Sequence, residues 1–242
     1  MKQRFAVLAI LLMFSPSLEA EESASKVIRE RIEWLDTNVE ETVRNDLPRV
    51  LFIGDSISAG YRGPAKQALK GKAYFGFLCT SAALGDPALF DQMKLLVGQY
   101  HFDVIHFNVG MHGWGYSEDD YRAAFSKLLA LLKEKAPTAQ LIWASTTPCR
   151  MNGPKFEQFD PKNERIKARN RIAAELVGQK GIPINDLYAL EENHPERSKD
   201  GVHFSDEGKA AQGKQVAKFI TEALSVGRKG MVSSLIGSSE PK

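Results

Sequence analysis

Gly54-Asp55-Ser56 directly follows the apolar run Val50-Leu51-Phe52-Ile53, and far downstream Asp200-Gly201-Val202-His203 places an acid three positions before a histidine. A serine at the tip of a buried strand is a candidate nucleophile, but its hydroxyl is weak until a base takes the proton. His203 offers that base, and Asp200 the carboxylate that would orient it. Each segment alone is a weak signal. Gly-Asp-Ser also serves as an ordinary strand-to-helix turn, and Asp-x-x-His can simply open a helix. Together, one after the first core strand and the other before the last helix, they are selective for a serine site.

The surrounding pattern predicts where these residues sit. After Pro48, strand candidates at 50–54, 73–78, 104–109, 141–145 and 182–184 alternate with helices. Runs such as Val-Leu-Phe-Ile and Leu-Ile-Trp-Ala are apolar on both faces, as parallel strands buried under helices must be. Asp86-Pro87 supplies an N-cap and a proline at the first helical position, and Ser117 with Asp120 forms a near capping box. Two further helices are expected at 160–179 and 205–225. The result is a three-layer α/β domain with a five-stranded, mainly parallel sheet. Ligand sites in such sheets lie beyond the carboxyl ends of the strands. The stretches 54–56, 79–85, 108–113 and 146–150 all fall there.

Residues 1–20 read as a secretory signal peptide, with Lys2 and Arg4 at the start, an apolar run from Phe5 to Phe14, and Ala20 at the cleavage point. A bilayer span needs roughly 20 apolar residues, about twice what is present, and no cysteine near the cleavage point suggests a lipid anchor. A periplasmic or secreted protein without membrane insertion after signal removal is therefore expected. Residues 21–47 are expected to form an amphipathic helical extension, 48–226 the catalytic domain, and 227–242 a flexible tail. The formal charge is +2 for the whole chain, and charges of both signs are mixed along the helices, which offers no case for nucleic acid. Cys79 and Cys149 would each close a strand on the same edge of the sheet, either bridged or as two buried thiols. No CxxC, HExxH or His/Cys cluster at ligand spacing indicates a metal, and no cofactor is implied.

Taken together, Gly54-Asp55-Ser56 and Asp200-Gly201-Val202-His203 resemble the SGNH, or GDSL, serine hydrolases over about residues 48–224. The α/β-hydrolase alternative requires Gly-x-Ser-x-Gly, whereas position 58 is Ser58. The resemblance implies a flavodoxin-like sandwich, with Ser56 as nucleophile, His203 as general base and Asp200 fixing the imidazole. It also implies an oxyanion hole built from the amides of Ser56 and of Gly85, the best match to the family's second-block glycine. The third block departs from the family. Gly-x-Asn-Asp is expected, and the chain has Gly110-Met111-His112-Gly113. His112 then stands in the asparagine position, with Asn108 as the competing donor. The run from Asp103 to Trp114 is similar to a bacterial subgroup of exported esterases.

Arg150 and Trp114 are candidate substrate contacts, for a polar group and a sugar ring, while Arg62 is read as a surface residue and His106 as a core histidine. The implied activity is hydrolysis of small acyl esters, O-acetyl on carbohydrate foremost, so the partner is a small-molecule or oligosaccharide ester. An acyltransferase using the same site, a lipid or thioester hydrolase, and a non-catalytic carbohydrate-binding protein remain the alternatives.

Overall fold

The apolar run around Phe52 forms the middle of a six-stranded sheet. A computed structural model describes residues 27–153 and 156–237, with only the backbone from 227 onward. The signal-peptide reading of 1–20 and the end of the tail, 238–242, lie outside the described residues. The strands are β1 (Leu35–Val39), β2 (Arg49–Gly54), β3 (Tyr74–Thr80), β4 (Val104–Phe107), β5 (Gln140–Ala144) and β6 (Ile184–Asn185), in the spatial order β1-β3-β2-β4-β5-β6. Every pairing is parallel except β1 with β3. The helices are α1 (Ser56–Ala68), α2 (Pro87–Gln99), α3 (Glu118–Lys135), α4 (Asn163–Gly178), α5 (Leu187–Glu191) and α6 (Asp206–Gly237). Residues of α2, α3 and α4 close one face of the sheet around Ile53, Phe107, Phe125 and Trp143. Residues of α1 and α6 close the other around Phe52, Tyr61, Ile142 and Ile220. The architecture is the expected α/β sandwich, with one strand more than the sequence pattern suggests.

That strand corrects the expected N-terminal helix. Residues 27–34 are extended or bent, and Leu35–Val39 pairs with β3 in the register Leu35 to Thr80 and Val39 to Gly76. Val27, Ile32 and Leu35 are exposed, so the apolar spacing of this stretch does not mark a face packed on the core. Asp36, Thr37, Asn38 and Val39 are also poor helix formers. The open edge of β3 instead offers unpaired backbone groups that an extended segment can satisfy. At the other end, α6 continues past 226 to Gly237, so the expected flexible tail begins as helix. The run from Ser225 to Gly237 holds no proline to stop it.

Cys79 and Cys149 are both free, buried thiols. Cys79 lies on β3 and Cys149 follows β5, with β2 and β4 between them. Strand spacings of about 4.8 Å put the two elements roughly 14 Å apart, beyond the ~7 Å that a disulfide can span. Burial pushes their thiols up to about 12 and about 11, so neither is ionised at neutral pH. Among the described residues no helix is long and apolar enough to cross a membrane.

Candidate active site

Ser56 opens α1 at the carboxyl end of β2. Its neighbour Asp55 is the N-cap, with Oδ1 accepting from the Ile57 amide at 2.9 Å. Such a cap contributes about 1 kcal/mol. As the first helical residue, Ser56 has no acceptor for its own amide within α1. The turn before α6 delivers the other two residues. His203 Nε2 lies 2.9 Å from Ser56 Oγ, and His203 Nδ1 lies 2.8 Å from Asp200 Oδ2.

The protonation pattern follows from the acid. Burial acts to raise the Asp200 carboxyl, but hydrogen bonds from the His203 amide, the His203 ring and the Val202 amide outweigh it and hold the group below the usual carboxylate range. The Asp200 amide contacts are 2.7 Å to His203 and 3.0 Å to Val202. An ionised carboxylate only accepts. Nδ1 of His203 therefore carries a proton, and Nε2 is left with a lone pair aimed at Ser56 Oγ. The side chains of His203 and Asp200 are 44% and 46% exposed, so the three residues lie on open surface.

Beside Asp55 three loops meet around a cavity of about 10 Å³, the room one water-sized oxygen takes. Asp55, Ala82, Ala83, Leu84, Gly110 and His112 line it. Asp55 Oδ2 and His112 Nε2 are both buried with no partner among the described residues. Burial pushes the Asp55 carboxyl up, opposed by His112 and by the amides of Ile57 and Ser58. Gly85 sits at the end of the 82–85 loop and borders instead a groove of about 790 Å³ between α2 and α3. A Cβ on Gly85 would lie 2.7 Å from the Tyr116 ring, so only glycine fits. The amides of Ala82 and Asp86 are taken by Thr80 Oγ1 and the Ala83 carbonyl. Those of Ala83, Leu84 and Gly85 have no acceptor among the described residues.

Several sequence-based assignments come apart at this point. The Asn108 side chain donates to the Ala144 carbonyl at 2.7 Å, tying the end of β4 to that of β5. Its amide is thereby committed, which leaves His112 as the third-block side chain facing the cavity. Arg150 is buried and does not reach out for substrate. Its guanidinium donates to the carbonyls of Phe156 at 3.1 Å and Glu192 at 2.5 Å and stacks on the Phe159 ring. Its five N–H donors suit it to gather carbonyls from separate segments. Trp114 offers no free stacking wall, because Arg169, Arg165 and Lys162 lie 4.9, 5.8 and 5.7 Å from its ring. Arg62 pairs with Asp36 at 2.6 Å and lies over Phe77. His106 is in the core, its Nε2 3.1 Å from the Asn185 amide nitrogen.

Arg169 was not singled out from the sequence. It is buried in α4 and donates to the carbonyls of Gly110 at 3.1 Å, His112 at 2.8 Å and Gly113 at 2.8 Å. It thus holds the whole third-block loop. One signal existed: Ile166, Arg169, Ala173 and Val177 share a helix face, and a charged residue in an apolar stripe needs internal partners.

The sequence profile of the GDSL-like lipase/acylhydrolase family matches residues 52–211, and the chain belongs to that family. It is accordingly an ester hydrolase by class. No curated protein matches the chain. Several experimental structures share the fold. A GDSL-like lipase from Bacteroides thetaiotaomicron is 21% identical, with 72% of this chain and 88% of that one covered and a TM-score of 0.53. An acetyl xylan esterase is 19% identical, covering 71% and 99% with a TM-score of 0.56. An aryl esterase from M. smegmatis is 15% identical, covering 73% and 99% with a TM-score of 0.57.

Proposed function

We propose that the protein is an exported serine esterase that removes small acyl groups, O-acetyl from carbohydrate foremost, with Ser56, His203 and Asp200 as its catalytic residues. The observation that carries this reading is the 2.9 Å approach of His203 Nε2 to Ser56 Oγ, with Asp200 holding the opposite ring nitrogen. Export rests on the sequence of residues 1–20. The carbohydrate part is supported by the open setting of the site, which suits a polymer, and by the structural likeness to an acetyl xylan esterase.

Ser56 Oγ attacks the ester carbonyl while His203 Nε2 takes its proton, and Asp200 stabilises the imidazolium. The carbonyl oxygen gains negative charge, and in this reading the Ser56 amide, an amide of the loop ending at Gly85, and His112 donate to it. The start of α1 adds positive potential there. The C–O bond then breaks as His203 returns its proton to the leaving alcohol, and the acyl group stays on Ser56. Water repeats the sequence: its oxygen adds to the acyl carbon as His203 takes its proton, the acyl–oxygen bond to Ser56 breaks as His203 returns that proton to Ser56 Oγ, and the acid leaves.

The test uses purified mature protein on acetylated polysaccharides, with released acetate as readout, beside p-nitrophenyl acetate and a fluorophosphonate label. Acetate release that Ser56→Ala abolishes, with labelling confined to Ser56, is the expected result. Undiminished turnover in Ser56→Ala overturns the nucleophile. Hydrolysis of p-nitrophenyl acetate without acetate from any polysaccharide overturns the carbohydrate part. Acetyl recovered on an added sugar acceptor, with little free acetate, makes the protein a transferase.

A further inference from the structure

Residues 27–34 cross the carboxyl end of the sheet as a strap whose contacts fall on the loops bordering the site. The Ile28 amide donates to Tyr116 Oη at 2.7 Å, Arg29 pairs with the buried Asp86 at 2.7 Å, and Trp34 N donates to Ser81 Oγ at 2.8 Å. Ser81 Oγ in turn donates to Glu33 at 2.7 Å. These contacts dock the strap. Glu30 does something else: its Oε1 lies 2.7 Å from His112 Nδ1.

The contact dictates what the other side of the ring can do. An ionised carboxylate only accepts, so Nδ1 carries a proton. Nε2 is buried and has no partner among the described residues, and His112 lines the one-oxygen cavity beside Asp55, the residue before Ser56. A neutral His112 would present only a lone pair there, and a lone pair repels an oxyanion. Only the imidazolium places an N–H at Nε2.

We propose that Glu30 is a positioning residue of the esterase reaction, holding Nδ1–H of His112 so that Nε2 meets the oxyanion as a charged donor. The inference rests on the Ser56 esterase reading. Glu30 stands to His112 as Asp200 stands to His203, orienting the ring and stabilising its cation. No proton moves at His112 during the reaction: Nε2–H donates to the oxygen while charge develops on it and releases it when the intermediate collapses. The remaining charged groups around the ring are Asp55 across the cavity and Arg169 on the His112 carbonyl. Arg169 is itself 3.7 Å from Glu118. The third-block asparagine of the family is thus replaced by a dyad, one member of which comes from outside the matched domain.

The experiment measures kcat and KM on p-nitrophenyl acetate for Glu30→Ala, Glu30→Gln, His112→Asn, the Glu30→Ala/His112→Asn double variant and Arg31→Ala. A ¹⁵N spectrum of the histidine rings in the Ser56–fluorophosphonate adduct accompanies it. Glu30→Ala should lower kcat roughly tenfold with KM little changed, a smaller loss than removing an oxyanion donor outright. Glu30→Gln, which can still accept from Nδ1, should recover part of it. In the His112→Asn background Glu30→Ala should cost nothing further, the exposed strap control Arg31→Ala should retain activity, and both His112 nitrogens should be protonated in the wild-type adduct. Unchanged kcat in Glu30→Ala, additive losses in the double variant, a neutral His112 in the adduct, or an equal loss in Arg31→Ala would each overturn the proposal. Wild-type protein that neither labels at Ser56 nor hydrolyses the ester overturns the esterase reading instead.

Discussion

The backbone amide of Arg150 donates to the carbonyl of Gly201 at 2.7 Å, so the segment after β5 fixes the turn that carries both Asp200 and His203. Gly201 has φ +90°, and a Cβ there would lie 2.3 Å from the Arg150 carbonyl oxygen. Backbone conformation and close approach both demand glycine at this position. Gly201→Ala should cost about 1–3 kcal/mol of stability and displace His203 from Ser56. Urea unfolding and kcat measure the two effects, and a variant with wild-type values in both would show that the turn tolerates a side chain.

Arg150 is a clamp on this same region, which separates its behaviour from that of a substrate contact. Arg150→Ala leaves the half-buried carbonyls of Phe156 and Glu192 without their charged donor, a loss of about 1–3 kcal/mol. Arg150→Lys should rescue little, since an ammonium cannot match the fork of the guanidinium. Discrimination between anionic and neutral esters should stay as in wild type. A selective loss for anionic esters would return Arg150 to the substrate.

Asp200 accepts from the His203 ring and from two amides, and it is ionised well into the acid range. Asp200→Asn keeps the shape but can present an N–H to Nδ1, which favours the tautomer with the proton on Nε2. That places a proton where the base needs a lone pair. A fall in kcat of roughly 10³–10⁴ is expected, with circular dichroism unchanged. A loss under tenfold would mean that His203 is oriented by other contacts.

The proposed oxyanion role of His112 can be tested by substitution. His112→Asn should retain much of the activity, because an amide donor stands in for the ring. His112→Ala should lose on the order of a hundredfold or more in kcat. Equal rates for alanine and wild type would leave the cavity beside Asp55 with no role in catalysis.

His106 predicts an acid limit on stability. Complete burial pushes its imidazole down to about 3, against about 6.5 for an unfolded chain. Between those values the unfolded state binds a proton that the native state does not, so stability rises with pH and falls as the solution is acidified. The loss should approach 2 kcal/mol between pH 7 and pH 5. His106→Phe should flatten this slope whatever its absolute stability. Parallel slopes in the two proteins, read from urea midpoints, would assign the acid sensitivity elsewhere.

The legible parts of this protein are those whose signals are local. Val50 to Ser56 is a run buried on both faces that ends in a helix cap, and Asp200 to His203 is a short turn before a helix. Strand alternation alone then places both at one end of the sheet. The hydrogen bond between them spans 147 positions, yet the pattern of elements is enough to bring them near each other. Burial of apolar surface is non-directional, which is why apolar spacing reveals strands and layers. The same spacing misled at the N-terminus, where Val27, Ile32 and Leu35 are exposed and the backbone pairs with β3.

What only the tertiary structure decided are the polar contacts between distant segments. Arg169 faces carbonyls of the third-block loop, Asn108 spends its amide on Ala144, Arg150 turns inward, and Glu30 meets His112 from 82 positions away. Such contacts are directional and short-ranged, and each depends on which buried donor or acceptor is left unpaired once the core has closed. By itself the sequence determined the fold class, the family and the serine, histidine and aspartate of the site. Which side chains hold those three in place, and which one lines the cavity beside Asp55, depended on the packing of loops that carry no pattern of their own.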